Sequence, residues 1–213
     1  MEQAAETIAP RRRKLSREVR RQQLIEATIA CIAKRGFAET TLAEVAKTAG
    51  LSQGIVNLHF NTKDQLLFAT LAHLRDEYKE TWTNAYERAG GSAAEKLAAL
   101  MAVDFEPGLC GRDKLAVWFA FQAEAKSRPT YRELCEQYDE EYDRVLEGTV
   151  RKLIREDGTR GLNAKDIAAG FSAMAEGLWL CMLVTPSQMT AKDARRICRS
   201  YFAQFFPQHY AKK

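Results

Sequence analysis

An all-α protein is predicted for this sequence by three observations. Apolar residues recur three and four positions apart in one segment after another. Ser, Thr or Asn stands ahead of most of these segments, several times with Glu or Gln three residues later, the pairing that closes a capping box. The 5 prolines among 213 residues all fall outside the periodic segments or at their edges. Nothing alternates as a strand, and there is no internal repeat or low-complexity run.

Taken in order, residues 1–14 read as a flexible basic arm ending in Arg11, Arg12, Arg13 and Lys14. Such arms enter minor grooves, with a solvated charge run as the plain alternative. Residues 15–63 read as a small head. Ser16 starts a first helix whose face holds Leu24, Ile25, Thr28, Ile29, Cys31 and Ile32, and Gly36 ends it. Phe37 is expected beneath the two short helices that follow. Thr41 caps the first of these, with Glu44 completing a capping box and Leu42, Val45, Ala46 and Ala49 on its inner face. Gly50 supplies the positive-φ turn and Ser52 caps the second. Ile55, Val56 and Phe60 point inward, which leaves Gln53, Gly54, Asn57 and His59 outside. Helix, glycine turn and capped second helix form the helix-turn-helix pattern, whose second helix lies in the DNA major groove.

Residues 64–213 read as a larger helical body. A long helix runs from Thr62 to Arg88, at ~1.5 Å per residue some 40 Å, enough to tie the head to a distant body. Ser92 with Glu95 opens the next helix, through Phe105, and Asp113–Ser127 forms another. Pro129 suits the first turn of a helix to about Glu156. Asn163 caps Ala164–Val184, where large apolar residues alternate with Ala and Gly, and Thr190 caps a last helix through Phe205.

Charge and composition narrow the function. The net charge is +4, but Arg11 to Lys63 holds eleven basic residues to four acidic ones, so the head is strongly basic and the rest net acidic. A basic end beside a helix-turn-helix is the footprint of a nucleic-acid binder. Gln53, Asn57 and His59 suit base edges, and Thr41, Ser52, Gly54 and Lys63 suit phosphates, with double-stranded operator DNA as the partner. The N-terminus lacks an apolar core, and the longest apolar run, Leu178–Val184, is short of a bilayer span, so a cytoplasmic protein without a membrane partner is expected. Five widely spaced cysteines without a Cys-x-x-Cys pair read as reduced thiols, and His59, His73 and His209 share no ligand spacing, so no metal or cofactor is expected. Without a Ser/His/Asp order or a phosphate-binding glycine loop, the chain reads as no enzyme. A helical scaffold or adaptor is the rival class; it accounts for the body but not for the basic arm and the capped head.

Gly36-Phe37, Thr40-Thr41, Glu44-Val45-Ala46, Ala49-Gly50-Leu51-Ser52 and Phe60, Lys63 and Leu66 stand at a spacing that resembles the TetR family of bacterial repressors. The resemblance implies a helix-turn-helix head, a linking helix and a body that binds a small-molecule effector. It also implies a homodimer through the long late helices, for which Tyr142, Leu146, Met174, Leu178 and Met182 are the candidate contacts. In the body, Ala116-Val-Trp-Phe-Ala-Phe121 and Glu176-Gly-Leu-Trp-Leu180 are similar to BetI-type, choline-responsive repressors, although Gln122 and Glu124 stand where a second Trp is common. On that likeness Trp82, Phe105, Trp118, Phe121, Gln122, Glu124 and Tyr138 are the candidate ligand contacts, with Asp104, Glu124 and Glu176 the acids at hand. An aromatic box beside a carboxylate would hold a quaternary ammonium; an apolar or polar-headed effector is the alternative.

Overall fold

The computed structural model describes residues 16–211. The head holds α1 (Arg17–Arg35), α2 (Leu42–Thr48) and α3 (Gln53–His59). The linking helix α4 is Lys63–Arg88. The body follows with α5 (Ala93–Val103), α6 (Arg112–Ala125), α7 (Pro129–Glu156), α8 (Ala164–Val184), α9 (Ala191–Phe205) and a final turn, α10 (Pro207–Tyr210). Among the described residues there is no strand.

The starts and stops follow local chemistry. Ser92 with Glu95 and Thr190 with Asp193 close full capping boxes at α5 and α9. The box expected at α2 is only half formed. Thr41 Oγ1 accepts the Glu44 N–H at 3.2 Å, but the Glu44 carboxylate turns to Arg35, 3.1 Å away, which binds α2 to the end of α1. Ser52 takes the N-cap position of α3, yet its hydroxyl makes no capping bond. Gly50 has φ +64°, and the Leu51 N–H reaches back to the Ala46 carbonyl at 2.9 Å, a left-handed stop that sets α3 across α2. The short α10 was beyond the periodicity; Tyr210 Oη pins it by donating to the Ala94 carbonyl at 2.8 Å.

Three apolar clusters are strung along α4. Leu66 and Ala69 join Leu24, Ile25, Val45, Val56 and Phe60 in the head. Leu67, Leu71 and Leu74 pack with Ile32, Val117, Phe121 and Tyr131 at a junction between head and body. Trp82 enters the body core with Leu97, Phe105, Leu146 and Phe171. A boundary drawn after Lys63 therefore cuts a helix whose first two turns complete the head. Phe37 departs from its expected place: it meets Phe121 edge-on at 5.3 Å and belongs to the junction, because the turn after Gly36 carries it away from α2 and α3. Arg128 braces the same junction, donating to Asp64 of α4 at 2.8 Å and to Glu124 of α6 at 3.0 Å.

By length and composition α8 would suffice to cross a bilayer, with a mean hydropathy of 1.7, because its small Ala and Gly residues extend the apolar stretch beyond Leu178–Val184. One face of it is buried in the body core through Ile167, Phe171, Leu178 and Trp179.

A candidate nucleic-acid interface and a candidate effector cavity

On the head, Gln53, Gly54 and Asn57 of α3 are exposed and His59 is half-buried. Val56 and Phe60 anchor the opposite side of the helix. Beside Asn57 stands Leu58, 69% exposed. An apolar side chain of that size on a groove-facing helix suits a thymine methyl; its place between the polar Asn57 and His59 is the signal for it in the sequence. A Cβ built at Gly54 would meet nothing nearer than Ser52 Oγ at 3.8 Å. The fold thus tolerates a side chain there, so packing within the chain does not require glycine at this position. Thr41 and Ser52 are both exposed, but only the Ser52 hydroxyl is uncommitted. Arg11, Arg12, Arg13 and Lys14 lie outside the described residues.

Lys63 has a different setting from the phosphate contact assigned to it. Its ammonium donates to the carbonyls of Phe37 at 3.4 Å and Ala38 at 3.2 Å, and lies 5.9 Å from the Phe37 ring. It ties the loop after α1 to the start of α4. Lys63→Ala is therefore expected to lower head stability by about 1–2 kcal/mol through these charge-assisted bonds, read by thermal unfolding, beside any loss of DNA affinity.

In the body, a cavity of about 310 Å³ opens between α4, α6, α7 and α8. Its aromatic wall is Tyr78, Trp118, Tyr142 and Trp179. The Tyr78 ring lies 5.9 Å from Trp118, 5.7 Å from Tyr142 and 5.9 Å from Trp179, and the two indoles stand at 88° with centroids 5.6 Å apart. Asp104, Asp139, Asp143 and Glu176 also line it, and no lysine or arginine does. Gln122 donates to Glu176, and Ser172 donates to Asp143 at 3.0 Å.

Asp104 is the central group. It is 2% exposed and sits at the C-terminal end of α5, where the helix dipole disfavours an anion. Its carboxylate accepts Tyr78 Oη at 2.6 Å and Tyr142 Oη at 3.3 Å, and among the described residues it joins no ion pair. The Trp179 Nε1 donates to its backbone carbonyl at 2.6 Å. Burial raises its pKa to about 7, against the lowering effect of the two tyrosine bonds. Burial, with the adjacent carboxylate, also holds both tyrosines well above their usual range, so they remain donors.

The structure brings Trp118 and Gln122 to the cavity, one turn apart on the same face of α6. The other candidate contacts stand elsewhere. Phe121 points to the junction. Phe105 is buried in the core beside Asp104, its carbonyl accepting Arg195 at 2.8 Å. Trp82 packs behind the wall, 5.7 Å from Tyr142. Glu124 is paired with Arg128, and Tyr138 donates to Asp76. Tyr142, read from the sequence as a dimer contact, forms cavity wall instead, because its face of α7 turns toward α5. Leu146 and Leu178 are likewise buried within the chain, while Met174 and Met182 are half-buried. From Ala169 on, the exposed residues of α8 are Ala169, Ala173, Glu176, Gly177, Leu180, Cys181 and Val184. Among the described residues, no group of three His, Cys, Asp or Glu is placed to hold a metal.

Comparison with known proteins matches both halves. Residues 24–70 fit the family model described as bacterial regulatory proteins of the tetR family, and residues 93–207 fit the C-terminal domain of BetI-type transcriptional repressors. The HTH-type transcriptional regulator BetI of Paraburkholderia phymatum is 34% identical over 92% of this chain and 97% of its own. That of Burkholderia mallei is 32% identical over 88% and 94%. Among solved structures, a transcriptional regulator from Pseudomonas aeruginosa PAO1 superposes with TM-score 0.80 at 28% identity, covering 90% of this chain and 92% of that one. A regulator from Saccharomonospora viridis in complex with choline shares the fold, with TM-score 0.78 at 22% identity over 87% and 96%. A helix-turn-helix head with a polar, exposed recognition helix, joined by one long helix to a BetI-type body, makes this chain a member of the TetR family, a DNA-binding transcriptional regulator of the BetI type.

Proposed function

We propose that the protein is a cytoplasmic homodimeric repressor, released from a palindromic operator when a small quaternary ammonium compound of the choline class enters the body cavity. The observation that carries the effector class is Asp104: a buried carboxylate without an ion pair, facing four aromatic rings. Burying a charge unpaired is costly, and an organic cation in that cavity would supply the missing partner while its methyl groups meet ring faces. The choline carried by the structural relative from Saccharomonospora viridis agrees with this chemistry. Calorimetry of the protein with choline and with tetramethylammonium tests it; no heat of binding at millimolar ligand rules the class out.

Release requires that the effector bind the non-operator conformation better. A hundredfold loss of DNA affinity needs at least ~2.7 kcal/mol of such preference. The conductor is α4, which contributes Tyr78 to the cavity, Leu71 and Leu74 to the junction and Leu66 to the head. A tilt of α4 changes the separation of the two recognition helices, which a palindrome holds at ~34–36 Å. On DNA, Gln53, Asn57, Leu58 and His59 are assigned to base edges, and Ser52, Gly54 and Thr41 to the backbone. Asn57→Ala is expected to cost ~1–3 kcal/mol at one base pair and to relax selectivity there, as read by selection from randomised operators. If selection from random duplexes enriches no sequence with the unaltered protein, the operator assignment is wrong.

A further inference from the structure

A cation already lies against the aromatic wall. Arg75 of α4 is 2% exposed, and its guanidinium carbon is 4.1 Å from the centre of the Trp118 ring. One of its nitrogens, Nη1, donates to Asp139 at 2.5 Å, and Asp139 is itself one of the acids lining the cavity. Its Nε is buried without a hydrogen-bond partner. This buried charge is therefore only partly satisfied, held by one carboxylate and one indole face.

We propose that Arg75 is a built-in competitor of the effector: it draws on Trp118 and Asp139 in the empty protein, and an entering cation weakens that hold. The inference rests on the cationic-effector reading above. Both positive charges depend on the same indole and the same cluster of acids, so each lowers the other's stability. An under-satisfied guanidinium is the member of the pair more readily displaced. Arg75 directly follows Leu74 of the junction and lies one helical turn from Leu71 on one side and from Tyr78 on the other. A shift of its side chain thus falls on the part of α4 that joins cavity to head. In this arrangement Arg75 sets the effector's affinity low and converts occupancy into movement, two roles that a purely structural ion pair would not have.

Two variants test this: Arg75→Met alone, and Arg75→Met with Glu133→Gln, an exposed α7 carboxylate outside the cavity lining, which leaves the net charge unchanged. Choline and tetramethylammonium are titrated by calorimetry, and operator release is followed in parallel. Both variants are expected to bind about tenfold more tightly than the unaltered protein. The same ligand should release the operator less completely from either of them, so affinity and coupling move in opposite directions. Tighter binding by the single variant but not by the charge-neutral double one would mean that only net charge matters, and would overturn competition for the indole. Unchanged or weaker binding in both, or tighter binding with release undiminished, would also overturn it. If neither the unaltered protein nor the variants bind either cation, the cationic effector falls, and the competitor with it.

Discussion

Asp104→Asn is expected to weaken quaternary ammonium binding by about a hundredfold or more, because removing one partner of a buried charge pair costs 2–5 kcal/mol. Asn keeps the size of the side chain and an oxygen for the Tyr78 and Tyr142 hydroxyls, so the cavity should keep its shape. The pH profile distinguishes this loss from simple damage. The cation requires the ionised carboxylate, and in the free protein Asp104 takes up its proton near pH 7. Affinity should therefore fall by up to tenfold per unit as pH drops below about 7, and level off above it. Asp104→Asn should show no such step. Stability moves the other way. The folded protein holds an extra proton between the ordinary carboxylate value of 3.8 and about 7, so the contribution of protonated Asp104 is complete below that window and lost as pH rises through it. The melting temperature of the unaltered protein should decline relative to that of Asp104→Asn between pH 5 and pH 8. Equal affinities and equal pH profiles in the two proteins would show that Asp104 is not the counter-ion.

The second large effect is expected on α8. Leu180 and Val184 are 45% and 67% exposed on a face that also carries the small Ala169, Ala173 and Gly177, with Glu176 beside them, and small residues of this kind allow a second helix to approach closely. Changing both to Glu should leave the fold intact and yield a monomer by sedimentation, with operator affinity reduced on the order of 10³-fold as one half-site is lost. Leu178→Glu, two positions before Leu180 but buried, should instead unfold the body. A double variant that stays dimeric places the interface on another face.

The comparison of these neighbours shows what was legible in the sequence and what was not. Caps and stops are local chemistry, so the spans of α4, α7 and α8 could be read from Thr62, Pro129, Asn163 and the residues around them. The head was legible for the same reason: Val56 and Phe60 inside with Gln53 and Asn57 outside follow from one short helical period. Which face of a long body helix meets the cavity, the core or a partner depends on rotations of about 100° per residue set by distant helices. Leu146 and Leu178 turn into the body core, and Phe121, three residues after Trp118, turns to the junction. The cavity wall was half legible. Trp118 and Gln122 carried a local signal, whereas Tyr78, Asp104 and Tyr142 meet only when α4, α5 and α7 pack together.

The right-angled indole pair has a practical consequence. Trp118 and Trp179 form one wall of the cavity, while Trp82, the third tryptophan, is buried behind Tyr142. Ultraviolet excitation therefore reports from two chromophores that line the cavity and one that does not. A ligand bound in this cavity is expected to change the emission of the first two against the steady light of the third, so that occupancy can be followed without a dye.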